Sequence, residues 1–171
     1  MRFRLFLTLA LASSFAAGSA FAGEDKAGAK LRIMEAGTDP NSDDHDCKIS
    51  LKEIRNYKAG EVGNRYICAQ LIDANTETTL ADLFEQLTNK KVVVTFEGQS
   101  TQSLMDTFNA WQTWLIADAN RSSDAQTYLK KVQPYTFSVV SRTENLVTIK
   151  LANTESNQSV DFEVRMGVEA P

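Results

Sequence analysis

Histidine and cysteine are scarce in this sequence, which contains one histidine and two cysteines among 171 residues. With His45 alone, neither a Ser-His-Asp nor a Cys-His catalytic arrangement has support in the sequence. The segment Gly98-Gln99-Ser100 lacks the second glycine of a nucleophile elbow, and the sequence has no glycine-rich phosphate-binding loop. These missing signatures favour a protein that is not an enzyme, and they predict no cofactor.

Paired carboxylates are the one catalytic arrangement that the sequence leaves open. A glycosidase needs only two acidic side chains that the fold brings together, and this chain contains 22 acidic residues. A small secreted hydrolase that acts on glycan or cell-wall material through two carboxylates is therefore the alternative to a protein without enzymatic activity.

The sequence also lacks the basic stripe through which proteins bind nucleic acid. Its basic pairs, Lys90-Lys91 and Lys130-Lys131, are isolated from each other. Removal of residues 1–22 takes away two arginines and no acid, so the basic residues fall from 18 to 16 against 22 acids, and the net charge changes from −4 to −6. Nucleic acid is therefore not an expected partner.

The first 22 residues contain an apolar run that is too short for a membrane span, which needs about 20 apolar residues. Arg2 and Arg4 precede this run, which covers residues 5–17, and small residues end it at Ala22. The pattern predicts an export signal at residues 1–22, cleaved after Ala22. No cysteine lies near the cleavage site for acylation. We therefore expect a mature chain that begins at Gly23, is periplasmic or secreted, and does not insert into a membrane.

Export changes the interpretation of the two cysteines, because oxidising compartments favour disulfides. Cys47 and Cys68 have a single intramolecular pairing open to them, and we expect that bond to form. A zinc site built from both cysteines, His45 and Asp46 is the alternative. It is disfavoured because the cysteines lack CxxC spacing and because oxidation competes with zinc binding.

An acidic stretch, TDPNSDDHDCKIS, occupies residues 38–50. Asp39, Asn41 and Asp43 follow the D-x-N-x-D start of a calcium loop, in which alternate oxygens converge on a cation. The pattern then fails, since the sixth position is Asp44 instead of glycine and the twelfth is Ser50 instead of glutamate. The three residues are a weak candidate metal site. The alternative is a turn and a solvated loop.

Helical spacing and alternation predict one α+β domain over residues 47–171, preceded by a flexible leader and acidic loop at 23–46. Helices are expected at 79–87, 101–120 and 125–132. Residues 50–59 are expected to be either a helix, from the capping-box spacing of Ser50 and Glu53, or a strand. We expect helices packed on one face of a mainly antiparallel sheet.

The strands of this sheet are predicted from apolar and alternating segments. We expect a short edge strand at residues 31–34 and a further strand at residues 64–73. Residues 92–96 are apolar at nearly every position, which predicts a central strand. Apolar and polar residues alternate in three segments that begin at Phe137, Val147 and Val160. This pattern predicts a three-strand antiparallel meander at the end of the chain. One face of that meander should be buried and the other exposed to solvent.

An aromatic helix carries the candidate partner-binding residue. Leu104, Phe108, Trp111 and Leu115 lie on one continuous helical arc, which predicts Trp111 in the core. Trp114 lies about 60° beyond the edge of the arc at 100° per residue. It is therefore a candidate anchor for a partner protein or a stacking surface for a sugar ring. Packing under the neighbouring helix or under the leader is the alternative.

Together these features predict an exported, non-enzymatic protein-interaction module. Its partner would be another protein. The chain itself would act as an assembly or secretion accessory, an inhibitor or an immunity-type factor. Export, a stable core and the missing catalytic signatures are the observations on which this prediction depends.

We predict that the exported protein begins at Gly23 and contains a Cys47–Cys68 disulfide. Intact-mass analysis without reductant should then give the mass of residues 23–171 less two hydrogens. Replacement of both cysteines by serine should lower the free energy of unfolding by about 3 kcal/mol, because a loop of roughly 20 residues is no longer closed in the unfolded chain. Detection of two free thiols in the purified protein would contradict the prediction.

Overall fold

The computed structural model describes residues 28–39, 41, 47–56 and 78–168. Within these ranges the chain forms six strands and four helices. In chain order the elements are β1 (Lys30–Glu35), β2 (Cys47–Ser50), α1 (Leu51–Asn56), α2 (Leu80–Thr88), β3 (Val92–Phe96), α3 (Thr101–Ala119), α4 (Ala125–Val132), β4 (Tyr135–Arg142), β5 (Leu146–Asn153) and β6 (Gln158–Met166). The chain is therefore of the α+β class, as the sequence predicts.

The strands form one mixed sheet in the order β2-β1-β3-β6-β5-β4. β4, β5 and β6 form the predicted antiparallel meander, and β1 pairs antiparallel with β2 and β3. β3 and β6, however, pair in parallel. The prediction of a mainly antiparallel sheet is therefore wrong. Alternation shows which face of a strand is buried but not which distant strand lies beside it, so the β3–β6 pair has no local signature.

The first strand also differs from its prediction. β1 covers the segment expected as a short edge strand, and it lies between β2 and β3 instead. The edge prediction is wrong because β2 pairs along the outer side of β1, with Ile49 opposite Leu31. β1 falls within residues 23–46, so part of that range belongs to the sheet. β3 is central, as its apolar sequence predicts. The predicted strand at 64–73 lies outside the described residues.

The core lies between the helices and one face of the sheet. Register aligns buried apolar side chains across the strands on that face, with Ile33 opposite Val94, Val94 opposite Val164, and Val164 opposite Val147. These residues form one buried cluster with side chains from all four helices, among them Leu83 and Phe108. Phe108 stacks on Phe137 of β4 with ring centroids 4.4 Å apart. None of the helices in the described ranges is both long and apolar enough to span a membrane.

Local hydrogen bonds explain where the helices begin. The Thr79 hydroxyl accepts a hydrogen bond from the Asp82 backbone N–H, and the Asp82 carboxylate accepts one from the Thr79 backbone N–H, which makes a capping box before α2. The Ser100 hydroxyl accepts from the Ser103 N–H before α3. The Asp124 carboxylate accepts from the Thr127 N–H before α4. These caps satisfy backbone donors that the first helical turn leaves without intrahelical partners.

The segment from Cys47 to Asn56 contains both a strand and a helix. The β2 strand ends at Ser50, and α1 begins at the next residue. The Ser50 hydroxyl accepts from the Glu53 backbone N–H at 3.1 Å and donates to the Glu53 carboxylate at 2.7 Å. The capping spacing thus predicts the start of α1 correctly, and the alternation ahead of it belongs to β2. Residues 57–60 lie outside the described ranges.

Both tryptophans of α3 are buried. Trp111 is 0% exposed and Trp114 is 8% exposed, and both belong to the core cluster. α3 contacts α1 and α4 as well as the sheet strands β2 and β4. Because the helix has neighbours on its flanks, the buried arc is wider than the apolar stripe that faces the sheet. Trp114 is therefore a buried residue of the core cluster and not an exposed side chain.

This packing predicts that Trp114→Ala destabilises the protein nearly as much as Trp111→Ala, by about 3 kcal/mol or more, because each change leaves a large cavity. Thr113→Ala is the matched control on the same helix turn, since Thr113 is exposed. Chemical denaturation of the three variants should give two strongly lowered midpoints and one near that of the parent. A Trp114→Ala midpoint equal to that of Thr113→Ala would contradict the packing.

Candidate binding surfaces

The candidate metal residues lie partly within the described ranges. Asp39 and Asn41 are both exposed, and the Asn41 backbone N–H donates to Asp39 Oδ1 at 2.9 Å. This bond makes an Asx turn, which is the local structure that the alternative of a solvated loop requires. Asp43, His45 and the other acids of the stretch lie outside the described residues. Within the described part of the chain, no group of three or more ligating side chains is placed to hold a metal ion.

The two cysteines are likewise only partly described. Cys47 begins β2, is buried, and lies opposite Ile33 on the core side of the sheet. Cys68 lies outside the described ranges, so the disulfide stays a prediction. Trp114 is buried, as shown above, so the accessible binding surfaces are found on other elements.

The face of the sheet that points away from the helices carries a row of polar side chains. Register aligns Arg32 with Thr95, and Thr95 with Arg165. Leu146 of β5 lies on the other side of Arg165 and completes the row. Arg32 is 2% exposed and its guanidinium forms an ion pair with the Glu97 carboxylate. The row therefore runs across the sheet from the buried, paired Arg32 of β1 to the exposed Arg165 of β6.

A pocket of about 310 Å³ opens over this row. Its floor is made of Val93, Val94 and Thr95 on β3, and Glu163 and Arg165 on β6 form one wall. The remaining lining residues are Leu146 at the start of β5 and the Gly37-Thr38 turn that follows β1. Gly37 has φ of +97°, a conformation that glycine adopts without steric cost and that holds this turn beside the pocket.

The polar groups of the pocket are not neutralised by one another. Among the described residues, Glu163 and Arg165 are exposed and neither has an ion-pair or hydrogen-bond partner. The Thr95 hydroxyl is buried and has no hydrogen-bond partner among the described residues. A buried hydroxyl without a partner costs free energy. The pocket thus combines an exposed cation and an exposed anion with a buried hydroxyl that has no described partner.

The described lining of the pocket contains one carboxyl group, whereas the alternative hydrolase needs a pair. Among the described residues that line it, that group belongs to Glu163. A two-carboxylate mechanism needs a second acid on the other side of the scissile bond.

β4 is an outer strand among the described strands of the sheet, where its one neighbour is β5. Val139 and Val140 on this strand are 43% and 49% exposed, and in the described residues only one other large apolar side chain, Val93 of the pocket, is exposed. A bulge between Val139 and Ser141 leaves Val140 without an opposite residue on β5. The second half of β4 therefore presents adjacent apolar side chains beside a backbone edge that no other described strand pairs with.

The two ends of β4 are held in place by hydrogen bonds. The Arg142 guanidinium donates to the Gln99 carbonyl at 2.8 Å and to the Thr101 hydroxyl, which ties the end of the strand to the start of α3. At the other end the Thr154 N–H donates to the Pro134 carbonyl at 2.7 Å. The exposed edge is thus fixed between two anchored ends.

The sequence contains a feature that marks the exposed valines of β4, although the helical and strand periodicity does not reveal it. Val139 and Val140 are adjacent apolar residues in a strand that otherwise alternates, and an alternating strand cannot bury both on one face. The pocket had no such signal, because it combines residues of β3, β5 and β6 with the turn that follows β1.

No protein-family model matches the chain, and neither a curated protein nor a solved structure matches it. The function therefore has to follow from the residues of this chain alone.

The acidic stretch generates a test of the metal hypothesis. Because Asp44 and Ser50 stand where a calcium loop needs glycine and glutamate, we predict that calcium binds weakly. A Kd of about 1 mM adds only about 0.4 kcal/mol of stability in 1 mM calcium. The melting temperature should therefore change by about 1 °C or less when calcium or a chelator is added. A rise of several degrees that is lost in a variant with Asp39→Asn and Asp43→Ala would establish an ion site.

Proposed function

We propose that this chain is an exported, non-enzymatic protein-interaction module that binds an extended segment of a partner protein along β4. The observation that supports this proposal is the outer edge of β4, which no other described strand pairs with, and the exposed Val139 and Val140 beside it. A strand at a sheet edge offers unpaired N–H and C=O groups to another chain. Strand addition uses those groups for affinity and the neighbouring side chains for specificity.

The composition of β4 favours an uncharged apolar segment as the partner. From Tyr135 to Ser141 the strand contains no charged residue and no proline. Lysine and proline are common devices by which monomeric proteins prevent strand addition at an edge. The bulge at Val140 limits regular pairing to the part of the strand before it and presents Val140 to the side. A partner strand with apolar side chains would cover both valines.

The anchored ends of β4 support the same proposal on energetic grounds. Binding costs less conformational entropy when the receiving strand is already ordered. The contacts of Arg142 with Gln99 and Thr101 hold the edge in its extended form before a partner arrives. The export signal predicted at residues 1–22 sets the compartment in which that partner would be found, the periplasm or the exterior.

Val140→Lys tests the proposal, because a lysine beside the edge should prevent strand addition while leaving an exposed position otherwise intact. Ser159→Lys is the matched control: it makes the same charge change at an exposed position of β6, an internal strand. Mature protein and both variants would be used as bait in native extracts of the source compartment. We expect one partner to be retained by the parent and by Ser159→Lys and lost from Val140→Lys.

A photo-crosslinking residue at position 140 and another at 159 give the second measurement. The partner should crosslink from 140 only, and the backbone amides of β4 that point away from β5 should become protected from hydrogen exchange in the complex. Equal capture by both lysine variants, or crosslinking of the partner from 159 alone, would show that β4 is not the binding edge.

A further inference from the structure

We propose that the pocket over β3 and β6 binds a small zwitterion of the α-amino-acid class with an apolar side chain. This site is separate from the β4 edge, because β5 lies between β4 and β6. The proposal therefore does not depend on the function proposed for β4.

Two opposite charges on one strand are the first observation. Glu163 and Arg165 are two positions apart on β6, so they point to the same face with their Cα atoms about 7 Å apart. Neither has an ion-pair partner in the described part of the chain. A charge-assisted hydrogen bond spans about 2.8 Å. A ligand whose ammonium and carboxylate are attached to one carbon has the right size to reach Glu163 with the first group and Arg165 with the second.

The combination of charges selects against ligands that carry only one of them. An anion that approaches Arg165 also meets the Glu163 carboxylate, and a cation that approaches Glu163 meets the Arg165 guanidinium. Each such ligand has one attractive and one repulsive neighbour. A zwitterion has two attractive neighbours, so both of its charges contribute to affinity and to orientation.

Thr95 provides a polar group at the floor of the pocket. Its side chain is 3% exposed, its hydroxyl has no partner among the described residues, and register places it directly beside Arg165. A hydroxyl can donate to a carboxylate oxygen that Arg165 already binds. Such a bond would satisfy a buried group that the protein itself leaves without a partner, which is a gain that occurs only in the complex.

The apolar part of the pocket defines the side chain of the ligand. Val93 is 39% exposed, and Leu146 lies beside Arg165 on the neighbouring strand. Covering these side chains removes apolar surface from water. A volume of about 310 Å³ is at the lower end of the range for small-molecule sites. An amino acid with an aliphatic side chain, such as leucine or valine, fits both the volume and the lining.

The direct test is a titration of the isotope-labelled mature protein with L-leucine, followed by NMR. We expect saturable shifts of Val93, Thr95 and Leu146 below about 20 mM, since a ligand of this size should bind in the millimolar range or tighter. Isoamylamine lacks the carboxylate of leucine, isocaproate lacks its ammonium, and glycine lacks its side chain. Each of these three probes should bind about tenfold more weakly or worse.

Substitutions identify the groups that hold the ligand. Arg165→Gln and Glu163→Gln should each weaken leucine binding about tenfold or more while leaving the fold intact, because both residues are exposed. Asp161→Asn is the matched control: Asp161 is the preceding acid on the same face of β6 and does not line the pocket. It should leave leucine affinity unchanged.

Thr95→Val separates binding from stability. The change keeps the shape of the side chain and removes a hydroxyl without a partner, so the melting temperature should not fall. Leucine affinity should nevertheless drop. Absence of saturable shifts at about 20 mM leucine would overturn the proposal. Equal binding of isocaproate and leucine, or a loss in Arg165→Gln without a loss in Glu163→Gln, would also overturn it and indicate an anion site.

Discussion

The parallel pairing of β3 with β6 joins two groups of strands into one sheet. On one side of this pair lie β1 and β2, and on the other lie β5 and β4. The connection from β3 to β6 passes through α3, α4, β4 and β5, so the last strand returns beside a strand that is far away in sequence. This return buries β6 in the middle of the sheet and leaves β4 at its edge. It also places Thr95 of β3 next to Arg165 of β6. Both candidate binding surfaces therefore depend on it.

Arg32 constrains the other side of the sheet. Its side chain is buried on the face away from the helices, and its charge is compensated by Glu97 two residues beyond its neighbour Thr95. A slip of one residue between β1 and β3 would turn Arg32 into the apolar core and Leu31 and Ile33 out of it. Removal of one partner of a buried ion pair generally costs about 3 to 5 kcal/mol. The pair is therefore a strong determinant of register.

Local patterns predicted the elements of this fold well and their long-range neighbours poorly. Alternation over Val160–Met166 and the cap at Thr79 depend on residues close in sequence, and both predictions are confirmed. The position of β1 and the parallel pair depend on contacts between distant segments, which periodicity does not report. Trp114 shows the same limit, because its burial depends on the helices beside α3 rather than on the stripe along α3.

The candidate surfaces follow the same distinction. Adjacent exposed valines on β4 break the alternation of a single strand, so the sequence contains the information that marks them. Asp161, Glu163 and Arg165 instead look like the ordinary solvent face of an alternating strand. What distinguishes Glu163 and Arg165 is the presence of Val93, Thr95 and Leu146 on the strands alongside. No pattern within β6 contains that information.

The two candidate binding surfaces use few residues of the core. The core uses the sheet face under the helices, whereas Glu163, Arg165 and Val140 are exposed to solvent and make no contribution to the core cluster. Surface substitutions away from caps and buried contacts generally change stability by less than about 0.5 kcal/mol.

The two candidate surfaces lie on strands separated by β5, which puts β4 and β6 about 10 Å apart. Sites at this separation without shared partners behave additively. Selection can therefore change the edge and the pocket separately, with the β3–β6 pair as the structural feature that both retain.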